Sequence, residues 1–218
     1  MINETHSPKL MSWVASANSK ACDFPIQNLP HGVFRRRGRD ESFRGGVAIG
    51  DMILDMRAAF AAGVFEGEAA QAAQAAGSGS LNGLMAMGIA AWAALRLRMS
   101  QVLRSGAVEE GALRHCLIPQ ADAEFSVPAH IGDYTDFFTS WHHMMNAGRI
   151  FQPDHPELPN FKWLPLAYHG RSSSVSISGT LVRRPHGQSR PPGMEQPLFG
   201  PTQRLDYEME LGFFVGPG

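Results

Sequence analysis

Cysteine is scarce in this 218-residue chain: only Cys22 and Cys116 are present. They show no C-x-x-C spacing and no neighbouring Cys or His at zinc-site distances, which argues for two reduced core thiols in a reducing compartment. Lysine is scarce too (Lys9, Lys20 and Lys162), so most of the positive charge is arginine. No excess charge exists: Lys+Arg 19 against Asp+Glu 20 gives a net charge of -1. That balance leaves no global field for nucleic acid or an anionic membrane. The longest apolar run, residues 84–95, is shorter than the ~20 residues a membrane helix needs. The opening MINETHSPKLMSW contains an acid and a proline and lacks an apolar core, so it does not read as a signal peptide. The expectation is a cytoplasmic protein with neither a nucleic-acid nor a membrane partner. No serine stands in a Gly-x-Ser-x-Gly elbow and neither cysteine in a nucleophile motif, which disfavours covalent catalysis.

What is present falls into three textures. Residues 1–20 are polar and mixed, and read as a frayed terminus or a short lead-in. Residues 45–55 read as two short strands joined at Gly50-Asp51, a hairpin by its turn chemistry. The Arg35-Arg36-Arg37-Gly38-Arg39 run, followed at once by Asp40-Glu41, reads as a solvated loop. Residues 57–110 favour helix, with a break at Gly77-Ser78-Gly79-Ser80. Leu84, Met87, Ala91 and Leu95 keep helical spacing through residues 81–103, with Trp92 as core. Arg96, Arg98 and Arg104 lie toward the far end of that helix, where they suit its dipole. A boundary falls within residues 119–128. Beyond it, residues 175–182 and, most clearly, residues 205–215 alternate as strands do, and residues 183–201 read as loop.

Three groups of residues could carry chemistry. In residues 205–215, Tyr207, Met209, Leu211, Phe213 and Val215 fall on one strand face and Asp206, Glu208 and Glu210 on the other. The acidic face is either a wet surface or a pair of oxygen ligands for a hard cation such as Ca²⁺ or Mg²⁺. The segment Ile131-Gly132-Asp133-Tyr134-Thr135-Asp136-Phe137-Phe138-Thr139-Ser140-Trp141-His142-His143 reads as a turn leading into a helix, with Thr135 or Asp136 as N-cap. Asp136 and His143 then stand two helical turns apart, so both could face one side, as an acid on a metal and a base for water require. Tyr168-His169-Gly170-Arg171 suits recognition of a small anion, or caps the following strand.

These segments resemble the fumarylacetoacetase family. The resemblance rests on Asp23-Phe24-Pro25-Ile26, Asn28-Leu29-Pro30, Gly32-Val33-Phe34, Val47-Ala48-Ile49-Gly50-Asp51, Ile131-Gly132-Asp133-Tyr134-Thr135-Asp136-Phe137, Tyr168-His169-Gly170-Arg171 and Phe213-Phe214-Val215-Gly216-Pro217-Gly218, in one order. It implies a mainly β fold with helices: an SH3-like barrel domain at 22–125, after a lead-in at 1–21, then part of a β-roll hydrolase domain at 126–218. It implies a homodimer when complete. The implied reaction is carbon–carbon cleavage of a β-diketo acid, fumarylacetoacetate, with Ca²⁺ or Mg²⁺ held by Asp136, Glu208 and Glu210. His143, rather than His142, matches the water-activating histidine, and Tyr168 a substrate contact. Phe138 stands where the family has a tyrosine and Gln152 where it has an arginine, both substrate-binding positions. The family continues for about as many residues again, with a further aspartate ligand and the anion-stabilising groups. The expectation is therefore a truncated chain, inactive alone. The alternative is a non-catalytic, partner-dependent binding module or relic of that enzyme.

Overall fold

The computed structural model describes residues 2–217, which form two compact units. The first contains Met1–Pro128 with Ser176–Gly218, and the second Ala129–Val175.

The first unit is built on a five-stranded antiparallel sheet. Its strands are β1 (His31–Arg36), β2 (Arg44–Ile49), β3 (Met52–Asp55), β4 (Leu117–Pro119) and β5 (Ala123–Ser126), in the order β4-β3-β2-β1-β5. β2 and β3 form the expected hairpin, with Ile49 opposite Met52 and Gly50 at φ +60° in the two-residue turn. β4 and β5 occupy opposite edges although only the 3-10 turn Gln120–Asp122 separates them. A flat sheet would hold those edges ~19 Å apart at ~4.8 Å per strand. Four residue steps reach only ~14 Å even when fully extended. The sheet must therefore curl into a half-barrel.

Five helices cover it: α1 (Met56–Ala61), α2 (Gly67–Ala76), α3 (Asn82–Met85), α4 (Ile89–Val102) and α5 (Glu110–Leu113). The architecture is thus mixed helix and sheet, rather than mainly β, because the Ala-rich central third is helical. The small buried face of α2, with Ala72, Ala73 and Ala76, packs against α4. It also lets α2 approach β2 closely. A Cβ built on Gly45 would stand 1.6 Å from the Ala76 carbonyl oxygen. Leu54, Met56, Leu95, Met99 and Leu103 lie fully buried between the layers. Beside them Arg44 Nε donates to Asp55 Oδ2 at 2.5 Å, with the two side chains 7% and 8% exposed. Asp55 also caps α1, accepting from Arg57 and Ala58 N–H at 3.1 Å each.

Several local expectations change. Of the two readings of the first residues, the lead-in holds and the frayed terminus does not: Ser12 Oγ donates to the Leu103 carbonyl (2.7 Å) and Trp13 Nε1 to that of Val102 (2.8 Å). Arg96 does not serve the helix end. Its guanidinium turns inward to the carbonyls of Thr5, Ile26 and Gln27, tying the lead-in to α4. Arg98 likewise reaches the Val64 carbonyl and Glu109. The 81–103 pattern is cut at Gly88, φ +85°, into two helices. Of the arginine run, Arg35 and Arg36 belong to β1, and Arg35 pairs with Glu124 across to β5.

The 176–218 portion departs most. Residues 175–182 form no strand, and the segment read as loop contains a hairpin of β8 (His186–Ser189) and β9 (Leu198–Pro201). (β6 and β7 belong to the second unit.) Residues 205–215, the clearest strand by alternation, join no sheet among the described residues. Tyr207, Met209, Leu211, Phe213 and Val215 are each 83–95% exposed. Alternation decides which side chains would share a face. A strand exists only where a second backbone supplies the hydrogen bonds.

Candidate active site

The second unit places most of the candidate residues. β6 (Thr135–Phe137) pairs antiparallel with β7 (Ala167–His169), setting Asp136 directly opposite Tyr168. α6 (Trp141–Phe151) follows, capped by Ser140, whose Oγ accepts from the His143 N–H at 3.2 Å. This corrects the single-helix reading. Asp136 lies on a strand and His143 in the first turn of a helix, so they are not two turns apart on one face. Neither Thr135 nor Asp136 is the cap.

The Asp136 carboxylate is held by two phenols. Tyr168 Oη donates to its Oδ2 at 3.0 Å and Tyr134 Oη donates to the same oxygen at 3.2 Å. Tyr134 precedes Asp136 by two residues, hence the same strand face, and Tyr168 faces it across the ladder. The backbone is fitted to this arrangement. Gly170 N–H donates to the Tyr134 carbonyl at 2.9 Å, and a Cβ on Gly170 would meet the Tyr134 ring at 2.0 Å. Only glycine fits there.

His143 is exposed and packs edge-on against Phe138, ring centroids 5.0 Å apart. Phe138 in turn contacts Phe161 at 5.5 Å, so one aromatic cluster orients the imidazole. His142 is exposed as well. Gln152 is the C-terminal cap of α6 and exposed. The helix is steadied by Met144, which is buried and whose Sδ accepts from Leu158 N–H at 3.4 Å. Beside the two tyrosines opens a polar cleft of about 790 Å³, lined also by His169, Arg171 and Ser174. His169 pairs with Asp133. The Tyr134 backbone N–H, then the His169 contact, holds the Asp133 carboxyl below its usual range.

Glu208 and Glu210 belong to the first unit, and both are exposed. Among the described residues, no group of three or more His, Cys, Asp and Glu side chains is disposed to hold a metal ion. Tyr134 as a partner of Asp136, and the Asp133–His169 pair, were not assigned from sequence. The signal was there in the i, i+2 spacing of Tyr134 and Asp136, and was lost by reading the segment as a helix start. Among the described residues no helix is long and apolar enough to cross a membrane.

Residues 27–128 match the family described as Fumarylacetoacetase N-terminal. The chain is similar to the fumarylacetoacetase of Oryza sativa subsp. japonica, 46% identical over 202 residues, covering 89% of this chain and 47% of the relative. The Caenorhabditis elegans fumarylacetoacetase is 46% identical over 200 residues, again 89% and 47%. The Homo sapiens fumarylacetoacetase is 42% identical over 214 residues, 95% of this chain and 50% of the relative. The chain therefore spans about half the length of the curated relatives it matches.

Proposed function

We propose that the chain, whose residues 27–128 match the fumarylacetoacetase N-terminal family, belongs to that family and supplies the N-terminal domain and part of the active site of a metal-dependent carbon–carbon hydrolase. The proposed reaction cleaves fumarylacetoacetate, a β-diketo acid, to fumarate and acetoacetate, a step of tyrosine breakdown. The proposed setting is a cytoplasmic homodimer, with the curled sheet as an SH3-like barrel and the later residues as part of a β-roll.

One observation carries the reading. A carboxylate, Asp136, is fixed by two phenolic donors on one oxygen, one capped turn before a histidine held by an aromatic cluster. His143 accepts a proton from the attacking water. The Ser140 cap and the Phe138 edge orient its ring. Tyr168, Phe138 and Gln152 border the substrate. Phe138 presents no hydroxyl and Gln152 no charge, so these two positions favour a substrate with less demand for anion pairing.

By donor chemistry alone, a hard divalent ion, Ca²⁺ or Mg²⁺, would take the carboxylate oxygens that Asp136, Glu208 and Glu210 offer. When bound, such an ion offsets the negative charge that develops on the substrate oxygen as the bond breaks. Both phenol contacts fall on Asp136 Oδ2.

The test joins residues 1–218 to the remaining half of the rice relative and follows fumarylacetoacetate consumption. Turnover that needs a divalent ion supports the reading, and turnover indifferent to chelator refutes it. The 218-residue chain by itself is expected to show no turnover. A second reading, a partner-dependent binding module, draws on the exposed apolar side chains of residues 205–215. It predicts association with another chain without any turnover in the joined protein.

A further inference from the structure

The first unit contains a second cavity, of about 220 Å³, that the proposed reaction does not use. Its wall is Leu81, Leu84, Met85, Trp92 and Leu95, with His31 of β1 as the one other lining residue among those described. The indole N–H of Trp92 is already spent on the Leu84 carbonyl at 2.6 Å. His31 is different. Its Nδ1 is shielded from solvent and has no hydrogen-bond partner among the described residues. A buried polar atom without a partner costs stability, and an otherwise apolar wall offers it nothing.

We propose that this cavity binds a small neutral aromatic molecule bearing one hydroxyl or N–H, of the phenol class, whose polar hydrogen is accepted by His31. The volume suits such a ligand, since an apolar cavity of roughly 150 Å³ takes up benzene. The polarity suits it as well. Burial, with the nearby charge of Arg96 second, holds the His31 ring at about 4, so at neutral pH it is uncharged. A neutral imidazole keeps one nitrogen as an acceptor. A charged ligand would lose its hydration to an apolar wall with no countercharge in it. Arg96 does not line the cavity, and its donors are engaged by Thr5, Ile26 and Gln27.

The experiment titrates the 218-residue chain at neutral pH with 4-fluorophenol and with its donor-free analogue 4-fluorotoluene, following the ¹⁹F resonances. The phenol is expected to bind about tenfold more tightly, the worth of one hydrogen bond. His31→Leu should reduce that preference to about twofold or less. Leu84→Phe keeps His31 but fills the cavity, and should weaken both ligands by about tenfold or more. Absence of binding, equal affinity of the two probes for the unaltered chain, or a preference that survives His31→Leu overturns the proposal. Should His31→Leu fail to fold, the probe comparison and Leu84→Phe decide it by the same criteria.

Discussion

The unpartnered histidine makes acid sensitivity of the first unit a quantitative matter. The His31 ring falls from 6.5 to about 4, chiefly because burial penalises the imidazolium and secondarily because Arg96 repels it. A histidine whose folded value is depressed takes up its proton more readily when unfolded. The stability it protects is complete above 6.5 and is lost as pH falls toward 4. The full shift corresponds to about 3 kcal/mol, and linkage predicts about 2 kcal/mol of it gone by pH 5. Urea denaturation followed by far-ultraviolet circular dichroism at pH 7.5 and pH 5 measures this as a change in midpoint at constant slope. His31→Leu removes the titrating group. Its absolute stability is immaterial. What matters is that its loss between the two pH values is smaller than that of the unaltered chain by about 2 kcal/mol. The other eight histidines, common to both proteins, cancel in that difference. Equal losses would show that His31 is not held neutral by burial, and would also remove the electrostatic support for a neutral ligand in the cavity.

Other perturbations test other parts of the fold and site. Asp55→Ala removes the cap of α1 and leaves Arg44 buried with only Glu41 beside it, so denaturant unfolding should register about 3–5 kcal/mol of destabilisation. Gly45→Ala drives a Cβ into the Ala76 carbonyl, and should cost about 3 kcal/mol or prevent folding, read by urea midpoint. In the joined enzyme, His143→Ala should abolish turnover while calorimetry shows the divalent ion still bound, and near-normal turnover would remove His143 from the mechanism. In the same protein Glu210→Ala should weaken the ion; unchanged affinity would return the carboxylates of residues 205–215 to a wet surface.

Much of the fold is legible along the chain. Gly50-Asp51 between apolar residues specifies a two-residue turn and so the β2–β3 register. The Ala-rich run with its Gly-Ser break specifies helices interrupted at residues 77–80. The candidate site is less so. Thr135, Asp136 and Phe137 pair with a strand thirty residues later, and nothing in their own neighbourhood distinguishes that from a helix start. Ser140, a better cap than Thr135 or Asp136 because the chain before it is already extended, moves the helix and separates Asp136 from His143.

Local sequence specifies the small β unit, the helical middle third, and the motifs by which this chain resembles the fumarylacetoacetases. The tertiary fold decides that the lead-in is stitched to α4 by Arg96, that Tyr134 and Tyr168 share one oxygen of Asp136, and that residues 205–215 join no ladder among the described residues. The physical reason is common to all three. Turn chemistry and periodicity are properties of a few consecutive residues. A hydrogen-bond ladder, a buried guanidinium or a shared carboxylate belongs to pairs of distant residues, and exists only when both members arrive.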